Sequence, residues 1–149
     1  MGDLFQPTHL LIIFFVLALF IVPVIFFLLT LQHALSKCAA ASRTMEPGMV
    51  WLFLIPLLGL IWSFFVVMGL GKSLANEYAR RGIPSEEPAP GQPIGIAMSV
   101  CNCCCWVPIL GALAGIAGLV LWVVYWVKIA EFSRKLDQPQ FAMPAPPGV

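Results

Sequence analysis

The segment whose residue types are best suited to chemistry is residues 101–105, in which four cysteines are interrupted by one asparagine. On a helix, Cys101, Cys104 and Cys105 share one face, because residues three or four positions apart lie above one another. Thiolates grouped in this way can begin a binding site for Cu(I), zinc or an iron–sulfur cluster. A complete site would also need ligands from another turn or another segment of the chain.

The two histidines cannot both supply those ligands. His9 and His33 are 24 residues apart, which is about 36 Å along a single helix. Cysteine is also a small and rather apolar residue that suits close helix packing. We therefore expect Cys101, Cys104 and Cys105 to pack against another helix and to bind no metal. Metal or redox binding, lipidation and a disulfide are the open alternatives.

A run of small residues follows the cysteines. Gly111, Ala114, Gly115 and Gly118 fall on one helix face, where another backbone can approach closely. The pattern predicts helix packing, either against the cysteine-bearing helix or against a helix of another copy. Asn102 is the strongly polar side chain of this region, and polar groups in membranes face a partner helix or a water path. We expect a packing hydrogen bond from Asn102, with a pore lining as the alternative.

Catalytic and nucleic-acid functions have no support in the sequence. It contains no buried carboxylate pair, no Ser/His/Asp set and no glycine-rich phosphate loop. The net charge of +1 provides no electrostatic basis for binding nucleic acid. We therefore expect a protein that is not an enzyme, has no cofactor and has no nucleic-acid partner.

The elements that carry these residues are defined by where charge is missing. The chain is 60% hydrophobic and 10% charged, and residues 4–36, 47–71 and 88–127 contain no Asp, Glu, Lys or Arg. A helix needs about 20 apolar residues to cross a membrane. The runs are continuously apolar rather than alternating, which favours helices over a barrel. The sequence therefore predicts an all-α integral membrane protein.

Four transmembrane helices arranged as two hairpins are the predicted architecture. The spans are residues 9–31, 49–70, 94–106 and 112–127, with a Val-Pro-Ile-Leu-Gly break dividing the last apolar run. The third span is short, so three spans are the alternative.

The ends of the chain are assigned by length and composition. The first apolar core is longer than that of a signal peptide, so we expect it to be retained. Residues 1–136 are predicted to form one transmembrane helical bundle. Residues 137–149 are rich in proline and are predicted to be a disordered tail.

Basic residues predict the orientation of the chain. With four spans, six Lys and Arg residues lie on one side and two on the other, whereas three spans give five against three. The first count favours four spans with both termini cytoplasmic. Four tryptophans near the predicted helix ends read as interface anchors, namely Trp51, Trp62, Trp122 and Trp126.

Three apolar stretches carry a resemblance. Residues 47–56, 62–67 and 122–130 are similar to segments of small, uncharacterised bacterial multi-span membrane proteins. The resemblance covers about residues 45 to 136. It implies the bacterial cytoplasmic (inner) membrane and brings no activity with it.

Two functions are compatible with this sequence. The first is a structural or accessory subunit that packs against a larger membrane assembly or against copies of itself, with membrane lipids around it. The second is a small channel or carrier for an uncharged or small solute, which needs a continuous polar path. Such a path would have to use backbone freed at prolines and the side chains of Asn102, Ser63, Ser99 and Thr30.

Overall fold

The computed structural model describes residues 6–107 and 110–139. That part of the chain forms helices and no strand. In order these are α1 (Pro7–Lys37), a 3₁₀ helix (Pro47–Leu54), α2 (Pro56–Arg81), α3 (Gln92–Cys104) and α4 (Gly111–Lys135). Among the described residues, α1, α2 and α4 are long and apolar enough to cross a membrane. The all-α prediction is confirmed, and the three long helices fit the three-span alternative.

Helix α3 is the third predicted span, and it is too short to cross a bilayer alone. Its 13 residues extend about 20 Å, against roughly 30 Å of hydrocarbon. It runs antiparallel to α4, because its residue Gly95 lies beside Tyr125 and its residue Cys101 lies beside Gly118. The second predicted hairpin is therefore present, but one of its two arms is only a partial span.

The first predicted hairpin does not form, because α1 and α2 run in the same direction. Arg81, the last residue of α2, donates from Nη2 to the carbonyl of Lys37, the last residue of α1, at 3.1 Å. Near the start of α2, the 3₁₀ helix places Phe53 against Phe27 in α1, with ring centroids 6.3 Å apart. The chain therefore returns between these two helices.

The return path consists of loop 38–46 and the 3₁₀ helix, which run antiparallel to α2. Thr44 Oγ1 donates to the carbonyl of Gly69 at 2.8 Å, and the indole of Trp62 donates to the carbonyl of Met49 at 2.8 Å. The predicted second span began at residue 49, but α2 begins at Pro56. Proline is favoured at the first helical position and disfavours a helical residue before it, so the apolar run is divided there.

Helix α4 also runs parallel to α1. Trp126 Nε1 donates to Thr30 Oγ1 at 2.9 Å, and Lys37 Nζ lies 2.6 Å from Asp137 Oδ2 just beyond α4. The C-terminal ends of α1, α2 and α4 therefore meet. We call this region, residues 37–46, 72–91 and 128–137, the charged end.

The buried core lies next to the charged end rather than along the whole of α1. It includes Phe27, Leu31, Leu35, Val66, Leu70, Leu74, Tyr125 and Ile129. By contrast, the apolar side chains of residues 10–22 are largely exposed. Apolar exposure on this scale is appropriate to a helix that faces lipid or another membrane protein. The predicted tail begins at Asp137, which is in contact with Lys37, and its residues 140–149 lie outside the described part of the chain.

Candidate functional site

The charged end contains a fully buried carboxylate, that of Glu77. Its Oε1 accepts hydrogen bonds from Arg80 Nη2 at 2.5 Å and from Arg81 Nε at 2.6 Å. Its Oε2 accepts from the backbone N–H of Ala39 at 3.0 Å and from Arg80 Nε at 3.2 Å. Both oxygens are thus satisfied, which is the condition under which a buried charge can be kept.

Arg81 connects the ends of three helices. While its Nε donates to Glu77, its Nη1 donates to the carbonyl of Leu136 at 2.9 Å and its Nη2 donates to the carbonyl of Lys37. The last carbonyls of a helix have no partner within that helix, and the C-terminal end carries partial negative charge. One guanidinium therefore satisfies carbonyls at the ends of α1 and α4 from its position on α2.

The loop after α1 completes this arrangement. Arg43 donates from Nε to the carbonyl of Cys38 at 2.8 Å and from Nη2 to the carbonyl of Ser36 at 3.0 Å. Burial, together with the charge of Glu77, raises the pKa of the Cys38 thiol to about 11. A thiol with such a pKa is protonated at neutral pH and is a poor nucleophile. The hydrogen bonds of the charged end therefore hold the helix ends together, with a protonated Cys38 thiol among them.

A second ion pair fixes the loop between α2 and α3 to α4. Glu87 accepts hydrogen bonds from Lys128 Nζ and, at 2.7 Å, from the backbone N–H of Gly91. The hydrogen bond from Lys128, followed by that from Gly91, lowers the pKa of the Glu87 carboxyl below its usual value.

This lowered pKa predicts a pH-dependent contribution to stability. A carboxyl whose pKa is lower in the folded state stabilises the fold above its unfolded pKa of about 4.3, and that contribution is lost as the pH falls through the folded pKa. We expect Glu87→Gln to lower the free energy of unfolding by about 0.5–1 kcal/mol at pH 7, as for other partly exposed pairs. Denaturation of both proteins in detergent at pH 7 and at pH 3 measures this difference. If Glu87→Gln lowers the free energy of unfolding equally at pH 7 and at pH 3, the ion pair of Glu87 does not make this contribution.

A cavity of about 270 Å³ lies between α2, α3 and α4, away from the charged end. It brings together Ser63, Ser99 and Asn102, three of the polar residues that the sequence singled out for a polar path. Its other walls are mainly apolar and include Phe53 and Trp122. This composition suits a small, largely apolar molecule with one or two hydrogen-bonding groups.

The polar side chains of the cavity differ in how many hydrogen bonds they can still form with a bound molecule. Ser63 Oγ donates to the carbonyl of Leu60 at 2.7 Å, and Ser99 Oγ donates to the carbonyl of Gly95 at 3.0 Å. Both hydroxyl oxygens can still accept a hydrogen bond. The side chain of Asn102 is exposed and, within the described residues, lacks the packing hydrogen bond that we expected.

The predicted small-residue face lies against the cysteine-bearing helix and the turn after it. A Cβ atom at Gly118 would be 3.5 Å from Cys101 Cβ, and one at Gly111 would be 2.8 Å from the carbonyl oxygen of Cys105. At Gly115 the nearest atom would be Cys105 Sγ, at 4.0 Å. The closest approach is therefore at Gly111, whereas Gly115 borders the cavity. The fourth member of the face, Ala114, is buried.

All five cysteines are free thiols. Cys104 ends α3 and Cys105 follows it, so the predicted three-cysteine face extends past the helix. Within residues 6–107 and 110–139, no three His, Cys, Asp or Glu side chains are placed to hold a metal ion together.

The tryptophans make contacts inside the bundle. The indole N–H groups of Trp51, Trp62 and Trp126 donate to Gln32 Oε1, to the carbonyl of Met49 and to Thr30 Oγ1, respectively. Trp122 packs on Trp126 with ring centroids 5.4 Å apart. These contacts hold α1, α2, α4 and the 3₁₀ helix together, and a position at the membrane interface stays a prediction for all four residues.

Two buried tyrosines provide a matched pair of substitutions. Tyr78 donates its hydroxyl to the carbonyl of Phe132 at 2.8 Å, whereas the hydroxyl of Tyr125 has no partner among the described residues. An intramolecular hydrogen bond contributes about 1 kcal/mol, while an unpaired buried hydroxyl costs free energy. We expect Tyr78→Phe to lower the free energy of unfolding by about 1 kcal/mol, and Tyr125→Phe to leave it unchanged or raise it. Denaturation in detergent distinguishes them, and an equal loss in both variants would show that Tyr125 has a partner.

The comparisons with known proteins leave the family of this chain open. No protein-family model, no curated protein and no solved structure matches it. The class is defined by the helices themselves, since three of those described are long and apolar enough to cross a membrane. The chain is therefore placed among all-α membrane proteins.

Proposed function

We propose that this chain is a structural or accessory membrane subunit, which packs against other membrane proteins or copies of itself through the first half of α1. The supporting observation is the exposure of residues 10–22 beside a bundle that is otherwise well connected. Phe14 and Phe15 are each 70% exposed, and Phe20 is 69% exposed. The second half of the same helix is held by the core and by the charged end, whereas the side chains of the first half, before Pro23, are left largely uncovered.

The distribution of basic residues supports one orientation of this subunit. All eight Lys and Arg residues of the chain lie at the charged end: Lys37, Arg43, Lys72, Arg80, Arg81, Lys128, Arg134 and Lys135. Basic residues accumulate on the cytoplasmic side of membrane proteins. We therefore propose that the charged end faces the cytoplasm of a bacterial inner membrane.

This orientation differs from the expectation that both termini are cytoplasmic. If α1 crosses the membrane, its N-terminal end lies on the face opposite to the charged end, because its C-terminal residue, Lys37, is part of that end. Topology reporters fused before α1 and after α4 test this point. We expect a cytoplasmic signal from the second fusion alone, and cytoplasmic signals from both would overturn the orientation.

Site-specific photo-crosslinking tests the subunit function. A photoreactive residue in place of Phe15 is expected to form crosslinks to protein in the native membrane. The same residue in place of Ile116, which is 66% exposed on α4, is expected to react with lipid. Coexpression of two differently tagged copies identifies self-association, and a crosslinked protein that also co-purifies at fixed stoichiometry identifies a larger assembly. Lipid adducts alone at both positions would contradict the proposal.

The cavity favours a second candidate function, a carrier for a small uncharged solute. Its support is that Ser63, Ser99 and Asn102 line one cavity whose other walls are mainly apolar. A leucine side chain at Gly115, which borders the same cavity, would occupy that space. Solute uptake by proteoliposomes, measured with 1,2-propanediol, which has an apolar end and two hydroxyl groups, should fall in Gly115→Leu if this function is correct. Absence of uptake by the unaltered protein would eliminate it.

A further inference from the structure

A groove between α1 and α4 changes from apolar to basic as it approaches the charged end. It is an open groove with a volume of about 390 Å³, lined by Phe26, Leu29, Thr30, His33, Lys37 and Arg134, together with small residues of α4. The hydrogen bond from Trp126 to Thr30 joins the two helices beside it. We propose that this groove binds an anionic phospholipid, with an acyl chain along the apolar part and the phosphate at the basic part.

The apolar part of the groove has the properties of a surface covered by an acyl chain. Phe26 is 58% exposed and Leu29 is 45% exposed, although both lie in the half of α1 that packs into the bundle. Neighbouring positions on the same turns, Phe27 and Leu28, are fully buried. Since the three long helices place hydrocarbon beside this region, an acyl chain is the apolar occupant that is always available there.

The basic part is complementary to a phosphate. Arg134 is exposed, and within the described residues its guanidinium has no ion pair or hydrogen bond. Lys37 also lines the groove, and its charge is shared with Asp137 Oδ2 at 2.6 Å. Glu131 lines an adjoining groove on the other side of Arg134 and is engaged with Lys135 at 3.4 Å.

In the part of the chain that the structure describes, Arg134 is thus a cation without an ion pair at the end of an apolar groove, where a phospholipid would place its phosphate. Basic pockets between membrane helices on the cytoplasmic side recognise anionic head groups, and each nearby Lys or Arg strengthens the attraction. The fork of an arginine also suits bidentate contact with phosphate oxygens. A zwitterionic lipid would fill the apolar part equally well, but the cation of its own head group offsets the phosphate charge and weakens the attraction to Arg134.

Thermal unfolding of the purified full chain in a neutral detergent tests this site. Phosphatidylglycerol is expected to raise the melting temperature by roughly 3 °C or more when it is present well above its dissociation constant. Phosphatidylcholine should give less than half of that shift, and inorganic phosphate should give none. An equal shift with phosphatidylcholine would show that the site does not select an anionic lipid, and an equal shift with inorganic phosphate would make it a soluble-anion site. Either result overturns the proposal.

Three variants locate the effect on the protein. Arg134→Gln is expected to lose most of the phosphatidylglycerol shift, while Arg134→Lys keeps at least half of it. Lys135→Gln removes the same charge from the next residue of α4, which is paired with Glu131 on another face, and should keep the full shift. Because the Arg134 guanidinium makes no ion pair or hydrogen bond with the described residues, its variants are expected to melt near the unaltered protein without lipid. An unchanged shift in Arg134→Gln would overturn the proposal.

Discussion

Replacing Glu77 with alanine is expected to lower the free energy of unfolding by about 3–5 kcal/mol, the cost of breaking a buried ion pair by removing one partner. The substitution leaves two guanidinium groups and the N–H of Ala39 without their shared acceptor. It also releases Arg81 from the position in which it donates to the carbonyls of Lys37 and Leu136. One change at α2 therefore weakens the contacts of α1 and α4 as well.

A matched control lies in α4. Glu131 also precedes a basic residue by four positions, but it is 64% exposed and lies 3.4 Å from Lys135. Exposed pairs of this kind contribute about 0.3–0.5 kcal/mol. Unfolding in detergent, followed by helical circular dichroism, should therefore show a large loss for Glu77→Ala and a small one for Glu131→Ala. Similar losses in the two variants would show that Glu77 does not hold the three helix ends together.

These two glutamates also show where the sequence stops being informative. In both, a Glu precedes an Arg or Lys by four residues near a helix end, a spacing that stabilises isolated helices. What separates them is burial under loop 38–46, which supplies the N–H of Ala39. Local spacing contains no information about which loop folds back over a helix, so the importance of Glu77 could not be read from its own segment.

Hydropathy predicted the helices better than it predicted their directions. Four spans were predicted, with three as the alternative, and three of the described helices are long and apolar enough to cross a membrane. A charge-free run of that length has few other stable structures in lipid. The runs were then assumed to alternate in direction. The chain instead returns after α1 through a loop and the 3₁₀ helix, whose residues 49–54 had been counted as part of the second span. The Ile55–Pro56 boundary was visible in the sequence, but proline is common in membrane helices and does not by itself mark a helix start.

The common direction of α1, α2 and α4 has an electrostatic consequence. Three helix C-terminal ends that meet bring their partial negative charges together, and this is unfavourable unless cations lie among them. Lys37, Arg43 and Arg81 each donate to backbone carbonyls there. The collection of basic residues at one end therefore stabilises the parallel packing, in addition to supporting the orientation that we propose. The clustering of the basic residues and the common direction of the three helices thus have one electrostatic explanation.

The second large effect is expected at Gly95, a buried glycine of α3 that sequence reasoning did not single out. A Cβ atom at this position would lie 2.5 Å from Val67 Cγ1 and 2.8 Å from Tyr125 Cε2. Both neighbours are buried in the core, one on α2 and one on α4, so neither can move freely. We expect Gly95→Ala to lower the free energy of unfolding by about 1–3 kcal/mol, as for other overpacked positions.

The prediction for Gly95→Ala is a stringent one, because the expected loss of stability is opposite in sign to the effect of helix propensity alone. Alanine is intrinsically better than glycine in a helix by about 1 kcal/mol, so a glycine with free space should gain stability when it is replaced. Gly115 belongs to the packing face predicted from the sequence, yet a Cβ atom there would have only Cys105 Sγ nearby, at 4.0 Å. Gly115→Ala is therefore expected to be neutral or stabilising, whereas Gly95→Ala is destabilising. Unfolding of both variants in the same detergent tests the pair. A stabilising Gly95→Ala would mean that α3 does not sit between α2 and α4 as closely as described.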